Sequence, residues 1–173
     1  MNLSGQSLPS AGKFNSSGEC REIKVGMGDL QVATGPVVFR TLLGSCVGLA
    51  LHDPHRAIGG LAHVVLPNSG GTAALPGKYA DTALPELLRQ LVSQGARRTS
   101  LTARIAGAAN MFATTRANPI GEQNIAAVES LLREANIPLI GSHCGGTQGR
   151  RMTFFLESGK ILIDVVGSIT TEI

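Results

Sequence analysis

Residues 37–66, VVFRTLLGSCVGLALHDPHRAIGGLAHVVL, decide how this chain is read. Two apolar runs, Ser45–His52 and Ile58–Leu66, are separated only by the turn-forming DPHR. Asp and Pro at those places favour a tight turn, so the pair predicts an antiparallel hairpin. A third apolar run, Val37–Leu43, leads into it through Gly44-Ser45. Upstream, Ile23–Val25 and Leu30–Ala33 are short apolar segments bounded by GDL and TGP. The N-terminal third therefore reads as mostly strand.

Downstream, PNSGGTAALPG at residues 67–77 is a Gly/Pro loop, the kind of connection that borders sites. Leu84, Leu87, Leu88, Leu91 and Val92 then recur at helical spacing, with Asp81 as the expected N-cap, Pro85 near the first turn and Gly95 as the stop. Residues 99–106 read as a strand. Residues 120–135 read as a second helix with Ile125, Val128, Leu131 and Leu132 on one face, ended by Pro138. Strands at about 137–141, 151–156 and 160–166 follow, the last two joined by ESGK. The expected fold is α+β, with a mixed, mostly antiparallel β-sheet core and two main helices packed against it. Residues 1–21, rich in Ser and Gly, are expected to be a flexible tail, and 22–173 a single domain.

Bulk composition narrows the function classes. The chain has 173 residues, 43% hydrophobic, which suits a packed core. Aromatics make up only 3% and net charge is +3, with Arg97-Arg98 and Arg150-Arg151 the best basic clusters, so a nucleic-acid surface is not expected. Three cysteines do not suggest a disulfide framework. No apolar run approaches membrane-spanning length, and the first residues show no apolar leader. The expected setting is cytoplasmic, without membrane insertion.

Two residues could carry chemistry. Cys46 follows Gly44-Ser45 at the start of a predicted strand, where backbone N–H groups could form an oxyanion hole. His63 lies in the returning strand. Positions 46 and 63 are nearly symmetric about a turn centred at Pro54–Arg56, so the two side chains could face each other. A thiol beside an imidazole is the basic unit of cysteine-nucleophile catalysis. Equally, Cys46 in an apolar strand could be an ordinary core residue, and His63 a satisfied core histidine. His52 and His55 flank the turn and are expected to be exposed, and Cys20 falls in the tail.

Six segments in order, TLLGSCVGLALHD, GGLAHVVLP, GKYADTAL, ARIAGAANMF, IGEQNIAAV and CGGTQGRRMTFFLESGK, resemble the CheD family of chemoreceptor glutamine deamidases. The resemblance runs from about Glu22 to Val166. It implies a hydrolase that converts Gln side chains on the cytoplasmic helices of methyl-accepting chemotaxis receptors to Glu, through a thioester and without a metal or organic cofactor. Cys46 would be the nucleophile and His63 the general base and acid, with Gly44 and Ser45 supporting the oxyanion. The alternative it leaves is an adaptor that binds chemoreceptors or a CheC-like phosphatase.

A third catalytic member is implied at Thr41. TLLGSC is one residue shorter than in many members, and a one-residue shift reverses a strand's faces, so Thr41 would reach His63 only if a bulge or turn absorbs the difference. The resemblance also places the 67–77 loop beside the cleft, making Lys78 and Tyr79 candidate substrate contacts beside their plain reading as capping and packing residues. His143 and Cys144 stand where many members have an acidic residue and a Thr. That opens a zinc alternative built from Cys46, His63, His143 and Cys144. Arg150 and Arg151 could meet acidic receptor helices or simply end a solvated strand.

Overall fold

The computed structural model describes residues 20–72, 75–111 and 119–173. The predicted tail lies outside these except for Cys20 and Arg21, and Arg21 already opens a strand.

The β-rich core is two sheets rather than one. Strands β1 (Arg21–Lys24), β2 (Leu30–Thr34), β3 (Val37–Leu43), β4 (Val47–Asp53) and β5 (Ile58–Val64) form the first half. Helix α1 (Ala80–Ser93), β6 (Thr102–Gly107), α2 (Ile120–Glu134), β7 (Leu139–Cys144), β8 (Arg150–Phe155), β9 (Ile161–Val165) and β10 (Thr171–Glu172) complete it. One five-stranded sheet has the order β1-β3-β8-β9-β10 and the other β2-β5-β4-β6-β7. Among the strands described, only β1–β3 and β6–β7 pair parallel. Both sheets are therefore mixed and mostly antiparallel, as the patterning implied.

The sheets pack face to face, and the helices cover the outer face of the second. Val37, Phe39, Leu43, Met152, Phe154, Ile161 and Ile163 of the first sheet meet Cys46, Ala50, Leu61 and Ala106 of the second. On the opposite face of β4 and β5, Val47, Leu49, Leu51, Ala62 and Val64 pack against Leu84, Leu87 and Leu91 of α1 and Val128 and Leu132 of α2. Strands β4 and β5 are consequently buried on both faces at every position. This explains why they read as continuous apolar runs instead of alternating ones.

Close packing sets the glycines. An added Cβ at Gly48 would lie 2.7 Å from the Met152 sulfur and 2.9 Å from Leu43, so the first sheet could not approach. Gly107 has φ +112° and abuts the Cys46 carbonyl, a conformation and a spacing that exclude a side chain.

Local expectations fare unevenly. Gly95, at φ +98°, follows α1 as anticipated. Asp81 does not cap the helix; its carboxylate accepts from the N–H and hydroxyl of Ser69 and so ties the 67–77 loop to α1. Val92 is largely exposed. The buried stripe of α2 is Gly121, Asn124, Val128 and Leu132, with Ile125 and Leu131 only partly covered. His55 is exposed, but His52 is buried against Phe154.

Candidate active site

The site is assembled where β3, the turn before β4 and the end of β5 meet. Strand alternation turns Val37, Phe39, Thr41 and Leu43 inward. Leu42, between them, points out and is 70% exposed. The β3–β8 ladder runs from Val38 to Leu43 without a bulge, and Thr41 lies on the inner face.

From there Thr41 Oγ1 stands 2.8 Å from His63 Nδ1 and donates to the Val25 carbonyl at 2.8 Å. These two contacts decide a tautomer. A carbonyl can only accept, so the hydroxyl proton goes to Val25, and the hydroxyl oxygen accepts at His63. His63 therefore carries its proton on Nδ1 and keeps its lone pair on Nε2. Nε2 is buried and has no hydrogen-bond partner among the described residues.

Cys46 lies just before β4, in the bend that ends at its own position, and is 8% exposed. Direct opposition to His63 does not occur. The register pairs His63 with Gly48, two residues further along. An offset of two keeps Cys46 on the same face as His63, as its diagonal neighbour. Gly48, the residue opposite His63, carries no side chain, and Met152 and Leu43 of the first sheet fill that space.

Both groups are held in their neutral forms. Burial pushes the Cys46 thiol up. Burial pushes the His63 imidazole down, opposed by the Val25 carbonyl. The arrangement suits proton transfer during attack rather than a standing thiolate–imidazolium pair.

The backbone of the bend is polarised. The Gly44 carbonyl accepts from Ala109 N–H, the Ser45 carbonyl from Asn124, and the Cys46 carbonyl from Ala108 N–H. Among the described residues, no turn or loop bond uses the N–H groups of Gly44, Ser45 or Cys46. Three carbonyls are thus engaged, and among the described residues the donors beside the thiol are left over, as an oxyanion site requires. Ala108 and Ala109 come from the segment ARIAGAANMF.

A groove of about 590 Å³ opens on Thr41 and His63. Met27, Leu42, Lys24, Arg40 and Arg151 line it, with Glu22 as its acidic residue. Lys78 and Tyr79 do not line it. Tyr79 is buried, the Lys78 ammonium sits 5.2 Å over its ring, and the Lys78 carbonyl accepts from Val65 and Leu66. They brace the strand end after His63.

The other candidates separate. Cys144 packs on the helix side of its sheet, opposite to Cys46. His143 Nδ1 accepts from Arg150 at 2.7 Å. The described residues hold no cluster of three or more such ligands. Arg150 is buried; its guanidinium also binds the carbonyls of His143, Gly145 and Gln148 and so fastens the β7–β8 loop. Only Arg151 of that pair is exposed. Cys20 is half-buried, outside these groups. No helix of the described residues is long and apolar enough to cross a membrane.

Comparison with known proteins bears on this geometry. A family model described as CheD, chemotactic sensory transduction, matches residues 65–165. A Methanococcus vannielii protein named probable chemoreceptor glutamine deamidase CheD is 46% identical over 143 residues, 82% of this chain and 93% of its own length. A Clostridium botulinum protein of the same name is 42% identical over 161 residues, 90% of this chain and 99% of its own. A Neisseria meningitidis structure titled as family-model DUF152 aligns with a TM-score of 0.44 at 10% identity, covering 80% of this chain and 70% of that one.

Proposed function

The chain belongs to the CheD family, and from that premise we propose that it deamidates glutamine side chains of chemoreceptors, with Cys46 as nucleophile and His63 as general base and acid. The relatives' names supply the reaction. Support for the residues comes from the Thr41–His63 hydrogen bond, which leaves His63 Nε2 as the unprotonated nitrogen.

The chemistry is acyl transfer. Cys46 Sγ attacks the carboxamide carbon while its proton passes to His63 Nε2. The amide oxygen becomes an oxyanion held by N–H groups of the Gly44–Cys46 bend. The imidazolium returns its proton to the leaving nitrogen, the C–N bond breaks and ammonia departs. His63 then removes a proton from water, hydroxide adds to the thioester, and the C–S bond breaks. Glu remains, and Sγ recovers its proton. Thr41 holds the imidazole in the required tautomer throughout, in the manner of an orienting third group. The basic, partly apolar groove beside His63 suits a helix with acidic residues near the target Gln.

Incubation with a purified receptor cytoplasmic fragment, followed by peptide mass spectrometry, tests this. Gln→Glu conversion is expected with wild type and none with Cys46→Ala. Undiminished conversion by Cys46→Ala, or none by wild type, refutes it. Receptor modulation that survives Cys46→Ala would point to an adaptor role instead.

A further inference from the structure

Asn124 is fully buried on the sheet-facing stripe of α2, where its neighbours along the stripe are Gly121, Val128 and Leu132. Its Nδ2 reaches two backbone carbonyls, Val65 at 3.0 Å and Ser45 at 3.3 Å. Both partners can only accept, which fixes the amide's orientation. Its Oδ1 is buried with no partner among the described residues. An apolar side chain would fill this helix–sheet contact without that penalty. The donors, then, are what the position retains.

Their targets are specific. Ser45 immediately precedes Cys46, and Val65 lies two residues beyond His63. One side chain therefore joins the bend carrying the nucleophile to the strand carrying the base.

We propose that Asn124 is a positioning residue for the deamidation, fixing the Ser45–Cys46 peptide so that its N–H is aimed at the developing oxyanion. The inference rests on the reading of Cys46 and His63 given above. Across a planar trans peptide, C=O and N–H point in opposite directions. Holding the Ser45 carbonyl against α2 turns the Cys46 N–H away from the helix, toward the face that carries the Cys46 side chain. The Gly44 and Cys46 carbonyls are held by Ala109 and Ala108, so the Ser45 peptide is the one that the helix controls. Without Asn124 this peptide could rotate while the thiol stayed in place.

The test compares wild type, Asn124→Ala and Asn124→Ser, as full chains, on a receptor cytoplasmic fragment. Three quantities are read: kcat and KM for Gln→Glu conversion, the thermal melt, and the rate of Cys46 alkylation by iodoacetamide. Alkylation at sulfur passes through no oxyanion. The expected result for Asn124→Ala is a kcat loss of roughly 10²-fold, the scale of a small misplacement at a reacting centre. KM, alkylation rate and melting cooperativity should hold. Asn124→Ser, which keeps one donor, should lose less. An unchanged kcat overturns the proposal. So does a fall in kcat matched by altered alkylation or a lost cooperative melt, and so does failure of both variants to fold, since each assigns Asn124 to packing. Absence of conversion by wild type would overturn the deamidase reading itself, and this inference with it.

Discussion

Thr41 and His63 belong to different sheets, yet their side chains meet at 2.8 Å between the layers. The hydroxyl is in turn held by Val25, so the imidazole is oriented by a chain of two hydrogen bonds.

Thr41→Val should therefore reduce turnover while the chain stays folded. The substitution preserves shape and leaves Nδ1–H without its acceptor, a buried loss of about 1–3 kcal/mol. That corresponds to roughly a 5- to 150-fold fall in kcat, and Thr41→Ser should restore most of it. Steady-state kinetics on a receptor fragment would decide.

The pH profile follows from burial. His63 titrates below its ordinary value of 6.5, and it must be neutral to take the thiol proton. The acid limb of kcat/KM should thus fall below pH 6.5. Cys46 titrates above its ordinary 9.0, so no rise from thiolate formation is expected through neutral pH. An acid limb centred above 6.5 would contradict the neutral-pair description.

Stability should also respond to acid. His52 and His63 are both pushed down from 6.5 by burial. As pH drops below that value, the unfolded chain takes up protons that the folded chain refuses until a lower pH, so stability falls as pH falls and is unaffected above. Urea midpoints across the histidine range should show this slope. His52→Asn should shrink it, at some cost in overall stability.

Two glycines should resist substitution. Gly48→Ala would drive Cβ into Met152 and Leu43, an overpacking cost of about 1–3 kcal/mol in urea unfolding. Gly107→Ala should cost more. It adds an unfavourable positive φ to a collision with the Cys46 carbonyl, which also displaces the 44–46 bend.

The neighbouring arginines should behave differently. Arg151 is exposed in the groove beside His63, so Arg151→Glu is expected to raise KM with kcat retained. Arg150 binds the carbonyls of the β7–β8 loop, so Arg150→Ala should lower the melting temperature. Equal effects of both on KM would argue against this division.

The hairpin, the strand order along the chain and both helices were legible because turn residues and periodicity are local signals. Pairing between distant segments was not. Nothing in Val37–Leu43 says that its partner is Arg150–Phe155 rather than the adjacent hairpin, so the split into two sheets was hidden. The hairpin's symmetry placed Cys46 within two residues of its observed register. Polarity misled at His52 and Arg150, which are buried because a Phe154 edge and a set of loop carbonyls accept them. For Asn124, in IGEQNIAAV, the available signal was an Asn on the stripe shared with Val128 and Leu132.

Because the β3 threonine and the β5 histidine meet across the interlayer, competence for turnover should appear late in refolding. Secondary structure can form within each sheet before the layers dock, whereas contacts between segments far apart in the chain are slow to close. After dilution from denaturant, regain of deamidation is expected to lag the far-ultraviolet circular dichroism signal and to coincide with burial of the interlayer core. Enzymatic activity would then serve as a clock for sheet docking.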